Sequence, residues 1–534
     1  MKRICSILLA LALVLGFSLV ATTPVAAATL NVPSVTYTTI QAAVDAAHAG
    51  DTIQVAAGTY DETVTLKSTT ASDLFIIGEN KNNTFITGGI CFAASYSGLK
   101  VQNFTITGNG YLLTETYEAT VSCHWSGHYP ITNLEFSNCI FDGEGYDDGK
   151  HGRCGVVIKR LGGVVKFENN EFKNYHGWVT LDVNDGSGGG PMTVTSYTFD
   201  NNSIHDNWGS CALRGNPADR TNTVTVTGNT FDSNGNPNQW SWAALEINEA
   251  DDVMVSKNTI TNTQPGSWGE GEALQFWHIT PTSLTITCND IVNNYGGIYF
   301  PGGAWASDLS GVHINFNNIY GNTQFGVWAE AGNTGTADAE NNWWGYDSGP
   351  SGCGPGMGDA VIGNVDFDPW IKKATATTTG TGTASFASSH GCIAELTAVA
   401  TPPSPPVVLQ HGMFSLKVSC IDPGQEVTIT ITLPEPVMVS SKWWKYQNGS
   451  WYSLPIGSNN GDNVITITLK DGGKGDADSI AGQITDDGGP GTPVVGWETY
   501  TINKVRVLLP WIALIAAVMA GATLLVLRRR KTQT

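Results

Sequence analysis

Asn170-Glu171-Phe172, Asn202-Ser203-Ile204, Asn229-Thr230-Phe231, Asn258-Thr259-Ile260, Asn289-Asp290-Ile291 and Asn317-Asn318-Ile319 repeat one phrase: Asn, any residue, then a bulky apolar residue. Asn138-Cys139-Ile140 reads as the copy that opens the series, and Asn341-Asn342-Trp343-Trp344 closes it. Successive Asn positions from 138 to 317 are separated by 32, 32, 27, 29, 31 and 28 residues. A period of roughly 20 to 50 residues marks stacked supersecondary units rather than one globular core.

Each copy follows a short alternating stretch, such as Thr-Val-Thr-Val at 223–226 or Ser-Leu-Thr-Ile at 283–286. Alternation at period two is strand chemistry with one face buried. Gly, Asn and Asp punctuate the strands, which excludes helical repeats. Two or three short strands per coil, stacked in register, make a parallel β-helix, so the fold class is all-β. The apolar residue of each phrase points inward. The Asn sits in a turn, where its amide bonds the next coil's Asn and its backbone tolerates the left-handed region.

On these residues the chain resembles the right-handed parallel β-helix proteins, the pectate-lyase-like superfamily, over roughly residues 31–370. That resemblance implies a fold and no particular reaction, because the fold hosts lyases, hydrolases, epimerases, adhesins and binders. The Arg-Pro-rich motif of pectate lyases is missing, as are the Asp-Asp and Gly-His-Gly motifs of polygalacturonases. No catalytic residue is therefore carried over.

Residues 1–28 read as a signal peptide, with Lys2 and Arg3 before an apolar run and small residues at 25–28. Export places the cysteines in an oxidising compartment. Setting Cys5 aside leaves nine of ten, an odd number that is no disulfide framework, so most are expected as buried coil residues.

In "TTIQAAVDAAHAGDTIQVAAGTYDE", residues 38–62, Ile40, Ala43, Val44 and Ala47 share one helix face, with Thr38 or Thr39 as cap, Gly50 as stop and His48 on the surface. This phrase resembles the opening of pectate-lyase-like chains and predicts an N-terminal helical cap across the open end of the coil. The β-helix is expected over 29–373. Residues 111–129, with Cys123, His124 and His128, and 142–153, with Asp147, Asp148 and His151, break the period as polar surface insertions. "ENNWWGYDSGPSG", residues 340–352, closes the coils, and 361–371 plugs the end.

The Thr/Gly/Ser composition of 374–391 predicts a flexible linker. A small β-sandwich-like domain follows at 392–503, anchored by Trp443, Trp444, Tyr446, Trp451 and Tyr452. Its segments at 443–455 and 465–491 resemble the choice-of-anchor U surface domain, which implies attachment. There, Asp471, Asp476 and Asp478 stand among glycines as candidate Ca²⁺ ligands. Residues 507–527 are apolar and uncharged, the length of one transmembrane helix, and 528–534 form a basic tail. This layout predicts a cell-surface protein held by a single-pass membrane anchor, with its bulk outside.

The chain carries 27 Lys and Arg against 47 Asp and Glu, and eight of the basic residues lie at its two ends. So acidic a body repels nucleic acid and anionic polymers.

Aligning the strand after each Asn phrase yields an inward stack of Ile158, Leu181, Leu213, Leu245, Leu274, Ile298 and Val327. The next position forms an outward, solvent-facing row: Lys159, Asp182, Arg214, Glu246, Gln275, Tyr299, Trp328. Two residues on stand Asn184, Asn216, Asn248 and Trp277. One reading is a charge ladder that stabilises neighbouring rungs. The other is a polysaccharide groove, with Tyr299, Trp328, Trp277, Trp240, Trp242 and Trp268 as flat faces and Gln275 and Asn248 bonding hydroxyls. If the groove is catalytic, Asp182 and Glu246 stand two rungs apart, roughly 9.5 Å, near the upper end of the spacing for inverting glycoside hydrolysis. A lyase would use Lys159 or Arg214 as base, with Ca²⁺.

Overall fold

The computed structural model describes residues 26–493 except 109, 115–116, 124–128, 147–151, 159, 184–191, 215–220, 238–242, 268, 280–282 and 458–460. Three sheets of 14, 10 and 13 strands, parallel along their main paths, wrap one continuous core. They are called here sheets 1, 2 and 3. Through the repeats, each coil sends one strand to each sheet.

Residues of the phrase occupy sheet 2. Phe141, Phe172, Ile204, Phe231, Ile260, Ile291 and Ile319 pair in one Cα column and are all buried. Like rings stack on like: Phe141 and Phe172 lie 4.6 Å apart and nearly parallel. The Asn residues form the expected ladder. From Asn170 to Asn317, each backbone N–H donates to the next coil's Asn Oδ1 at 2.8–2.9 Å, ending on Asn342. Each buried amide thereby gains a partner in the turn.

The opening copy is shifted by one residue. Phe141, not Ile140, pairs with Phe172, and Cys139 takes the ladder position by donating to Asn170 Oδ1. Asn138 lies one place earlier in the left-handed region, φ 51°.

A second ladder runs five residues behind the first. Tyr175, Asn207, Thr263 and Asn294 donate backbone N–H groups to Asn207, Asn234, Asn294 and Asn322 respectively, at 3.0–3.3 Å. Its signal was in the sequence as Asn-x-x-x-x-Asn at 202/207, 229/234, 289/294 and 317/322.

The expected N-terminal helical cap and transmembrane helix are corrected. Among the described residues there is one α-helix, Ile40–Ala46, and no helix long and apolar enough to cross a membrane. Residues 507–527 lie outside the described part, as do 1–25. The helix is about 10 Å long, too short to cover the end of three sheets. It belongs to the first coil. Ile40, Ala43 and Val44 are buried, and Thr39 Oγ1 accepts from Ala42 N–H. Gln41 bonds the N–H and C=O of Thr65, so the helix takes the place of one more strand beside Val64–Leu66. Strand Thr29–Val32 itself forms the edge of sheet 1.

Residues 374–391 are not a linker. Ala374–Ala376 and Thr383–Ser388 are antiparallel partners, and the latter also pairs with Glu426–Thr432. Threonine suits strands as well as loops, and composition alone did not separate the two. Two antiparallel sheets of four and six strands then share a core that includes Phe386, Phe414 and fully buried Trp443. Inside it Lys445 is ion-paired to Asp486, which also accepts from Trp443 Nε1 at 2.8 Å.

Candidate functional site

Sheet 3 carries the site. Glu246, Gln275, Tyr299 and Trp328 are consecutive Cα partners on strands Ala243–Asn248, Glu272–Trp277, Gly296–Phe300 and Val327–Ala329. The expected row is therefore present over these four residues. Leu245, Leu274, Ile298 and Val327 form the buried column beside it, as expected.

Below Glu246 the row differs. Its partner is Ala212, followed by Leu181 and Val157. Arg214 pairs with Asn248 instead, two positions away. Asp182 pairs with Ile158 and Leu213, in the column that continues through Ile247, Phe276 and Phe300. The described side chains of that column, Ile158, Leu213, Ile247, Phe276 and Phe300, are buried. The alternating charge ladder and the Asp182–Glu246 pair are thus not formed as expected. Ile158, Leu181 and Leu213 likewise do not share the column of Leu245.

The slip is local to each strand. The triplets Ala212-Leu213-Arg214 and Ala244-Leu245-Glu246 look equivalent, yet it is Ala212 that pairs with Glu246. Spacing from the ladder Asn does not separate the cases: it is 10 or 11 residues at 170–181, 202–212, 289–299 and 317–328, and 17 at 229–246 and 258–275. Lys159, Trp240, Trp242, Trp268, Asn184 and Asn216 lie outside the described residues, as do His124, His128, Asp147, Asp148 and His151. The side chains of Asp182 and Arg214 do so as well.

The outer face is not open to solvent. Glu246 and Gln275 are 2 % exposed and Trp277 is 8 % exposed, while Asn248, Tyr299 and Trp328 are half-buried. Trp277 packs on Trp305, ring centroids 5.1 Å apart. Around Glu246 the fold gathers carboxylates that the alignment missed. Glu272, 4 % exposed, opens the same strand as Gln275, and half-buried Glu270 precedes it. Burial pushes the Glu272 carboxyl up to about 7, and the charges of Glu270 and Glu246 push the same way. Burial, then Glu246, also raises Glu270. The Gln275 Oε1 beside this cluster is a buried acceptor with no hydrogen-bond partner among the described residues.

At the other end of the row Tyr299 Oη donates to Glu330 Oε2 at 2.7 Å, and Gly302 N–H donates to the same oxygen at 2.9 Å. Burial, then Glu330, raises the Tyr299 hydroxyl. The Tyr299 and Trp328 rings lie 4.9 Å apart, with Phe325 edge-on to Trp328 at 5.3 Å. A cavity of ≈ 420 Å³ opens beside them, lined by Trp328, Glu330, Asn333, Ile362 and Asn364 among others. The Asn333 amide is engaged by Ser307 N–H and the Phe300 and Glu330 carbonyls. An indole face with an anchored carboxylate and the Asn364 amide beside such a space matches the needs of a sugar ring: a flat apolar contact with hydroxyl partners at its edge. Glu330 follows Trp328 by two residues, and Glu-x-Glu at 270–272 precedes the strand. Both were readable signals.

The candidate Ca²⁺ ligands hold a turn. Asp471 Oδ2 accepts from the Gly424 and Gly482 amides at 2.7 and 3.1 Å. Asp476 accepts from the Gly472, Asp478 and Thr485 amides. Asp478 accepts from the Ile480 N–H, the Gln483 Nε2 and the Thr485 hydroxyl. Among the described residues no group of three or more His, Cys, Asp or Glu side chains is placed to hold a metal. Side chains that accept amides in this way lock a turn.

Sulfur chemistry departs from expectation at one point: Cys288 and Cys420 form a disulfide between the solenoid and the sandwich. Cys91, Cys139, Cys154 and Cys211 are buried, as expected for coil residues, and Cys392 is buried in the sandwich.

The family model described as right handed beta helix region matches residues 119–344. No curated protein matches the sequence. Among solved structures, the chain is similar to the Dettilon tailspike protein gp208, at 12 % identity and TM-score 0.33, over 87 % of this chain and 94 % of that one. It is similar to the A-module of the Azotobacter vinelandii mannuronan C-5 epimerase AlgE6, at 15 % identity and TM-score 0.32, over 62 % and 94 %. A tailspike protein variant of the E. coli bacteriophage HK620 matches at 12 % identity and TM-score 0.35, over 82 % and 74 %. The match at 119–344 covers most of the Asn ladder, and this region is a right-handed β-helix.

Proposed function

We propose that this protein binds an extracellular polysaccharide at the C-terminal end of sheet 3, where the row reaches Tyr299 and Trp328. The observation that carries this reading is the unbroken row Glu246–Gln275–Tyr299–Trp328, which ends in the cavity beside Trp328 and Glu330. A neutral glycan suits the site, because its acidic side chains and the chain's net charge of −20 repel polyuronates. The disulfide to Cys420 supports an exported protein. The sandwich, similar in sequence to choice-of-anchor U domains, is read as its attachment module.

A second reading is favoured by one observation, the Glu272 carboxyl raised to about 7 beside Glu246. A carboxyl with a raised proton affinity beside a second carboxyl is one element of acid–base cleavage of a glycosidic bond. On this reading Glu272 is the acid.

The test is retention of the protein on a panel of insoluble polysaccharides, scored together with release of new reducing ends. Trp328→Ala should lower retention roughly five- to thirtyfold, the loss of one stacked ring at about 1–2 kcal/mol. Unchanged retention in Trp328→Ala and in Tyr299→Ala would refute binding at this row. Reducing ends that persist in Glu272→Gln would refute the acid assignment.

A further inference from the structure

Three cysteines meet at the junction of the two domains. Cys288 sits in the turn after sheet-1 strand Ser283–Thr287 of the solenoid. Cys420 follows strand Met413–Ser419 of the sandwich, and the two are disulfide-bonded. Cys392 opens strand Cys392–Val399, whose antiparallel partner for this residue is Ser419. Its Sγ lies 3.4 Å from that of Cys420. The Cys392 thiol is thus within van der Waals contact of a disulfide sulfur, and it is itself unoxidised. A crevice of ≈ 220 Å³, lined by all three cysteines together with Lys257, His390 and Asp422, gives the sulfurs room to move.

We propose that these residues form an internal thiol–disulfide relay that fastens or releases the sandwich from the solenoid. The Cys392 thiolate attacks Sγ of Cys420. A Cys392–Cys420 bond forms, the Cys420–Cys288 bond breaks, and Cys288 leaves as the thiolate. The proton given up by Cys392 is taken up at Cys288. One disulfide and one thiol are present before and after, so no outside oxidant or reductant is required.

The two isomers differ in what they join. Cys288–Cys420 ties two domains 132 residues apart in sequence. Cys392–Cys420 would lie inside the sandwich, between neighbouring strands, and would leave the junction without its covalent tie. An ion pair across that junction, Lys257–Asp422 at 2.6 Å, is solvent-exposed and weakened by salt. Burial pushes the Cys392 thiol up to about 12, opposed by Lys373, so the clasped form rests as thiol rather than thiolate.

The experiment uses the full chain without added thiol. After incubation the protein is quenched in acid, unfolded, labelled with N-ethylmaleimide and digested without reduction for mass spectrometry. Wild type should yield both Cys288–Cys420 and Cys392–Cys420 linked peptides, with label on the complementary cysteine in each case. In Cys392→Ser the label at Cys288 should fall to background. Label confined to Cys392 in wild type, with no Cys392–Cys420 peptide, overturns the relay. Equal label at Cys288 in wild type and Cys392→Ser does so as well, because Cys288 would then be released by some other route. The readout is independent of glycan binding.

Discussion

Asn229 Oδ1 accepts two hydrogen bonds from Asn202, the backbone N–H at 2.8 Å and the side-chain Nδ2 at 3.0 Å. Asn229 Nδ2 in turn donates to Phe199 O at 2.7 Å and Asn258 Oδ1 at 2.9 Å. One amide therefore joins three coils. It does so in a site from which water is excluded, Asn229 being 1 % exposed. An amide so placed is hard to replace, because both its donor and its acceptor serve buried partners.

Asn229→Ala should destabilise the solenoid by roughly 2–4 kcal/mol, since it strands the Asn202 amide and the Phe199 carbonyl in the interior. Thr230→Ser, at an exposed position next to it, should stay within about 0.5 kcal/mol. Denaturant midpoints for the two variants check this. A repeat array unfolds in parts, so the comparison belongs on one solenoid transition. Equal midpoints would mean that the ladder contributes nothing net.

Glu272 makes stability depend on pH, with a definite sign. Its folded value of about 7 lies above the ordinary 4.5, so the folded state binds the proton more tightly than the unfolded one. Protonation then favours folding fully below the unfolded value, and the contribution is lost as pH rises from about 4.5 to 7. At 1.36 kcal/mol per pH unit the upper bound is about 3 kcal/mol. Melting temperatures of wild type should fall across that window more than those of Glu272→Gln, with the variant the more stable at pH 8. Parallel curves would place Glu272 at an ordinary carboxylate value.

The buried pair Lys445–Asp486 should be sensitive to halving. Lys445→Met leaves an unpaired carboxylate at a position 0 % exposed and should cost about 3–5 kcal/mol in the sandwich transition. Lys445→Met combined with Asp486→Leu should recover part of that loss. Calorimetry of the three variants decides it. A double variant no better than the single one would show that packing with Trp443, not charge, dominates the site.

Chelation should leave the melting temperature of the sandwich unchanged. Asp476 accepts from three backbone amides, so Asp476→Ala should lower that temperature equally with and without EDTA. A chelator-sensitive transition in wild type that disappears in Asp476→Ala would establish a cation site.

The sequence by itself determined the solenoid. A phrase repeated every 27–32 residues fixes which side chains stack, because each Asn and each apolar residue needs its counterpart one coil away. It also determined that Ile40, Ala43 and Val44 face inward, since helix periodicity is a local property. Only the tertiary structure decided the rest. The site depends on which residue of sheet 3 stands opposite which, and pairing between coils sets that register, not the local triplet. Asp182 and Arg214 stand outside the row, while Gln275, Tyr299 and Trp328 keep it. Glu272 could be read as acidic, but its proton affinity comes from burial among Glu246 and Glu270. The meeting of Cys288, Cys392 and Cys420 joins residues from two domains, and no period in the chain encodes contact between units that repeat differently.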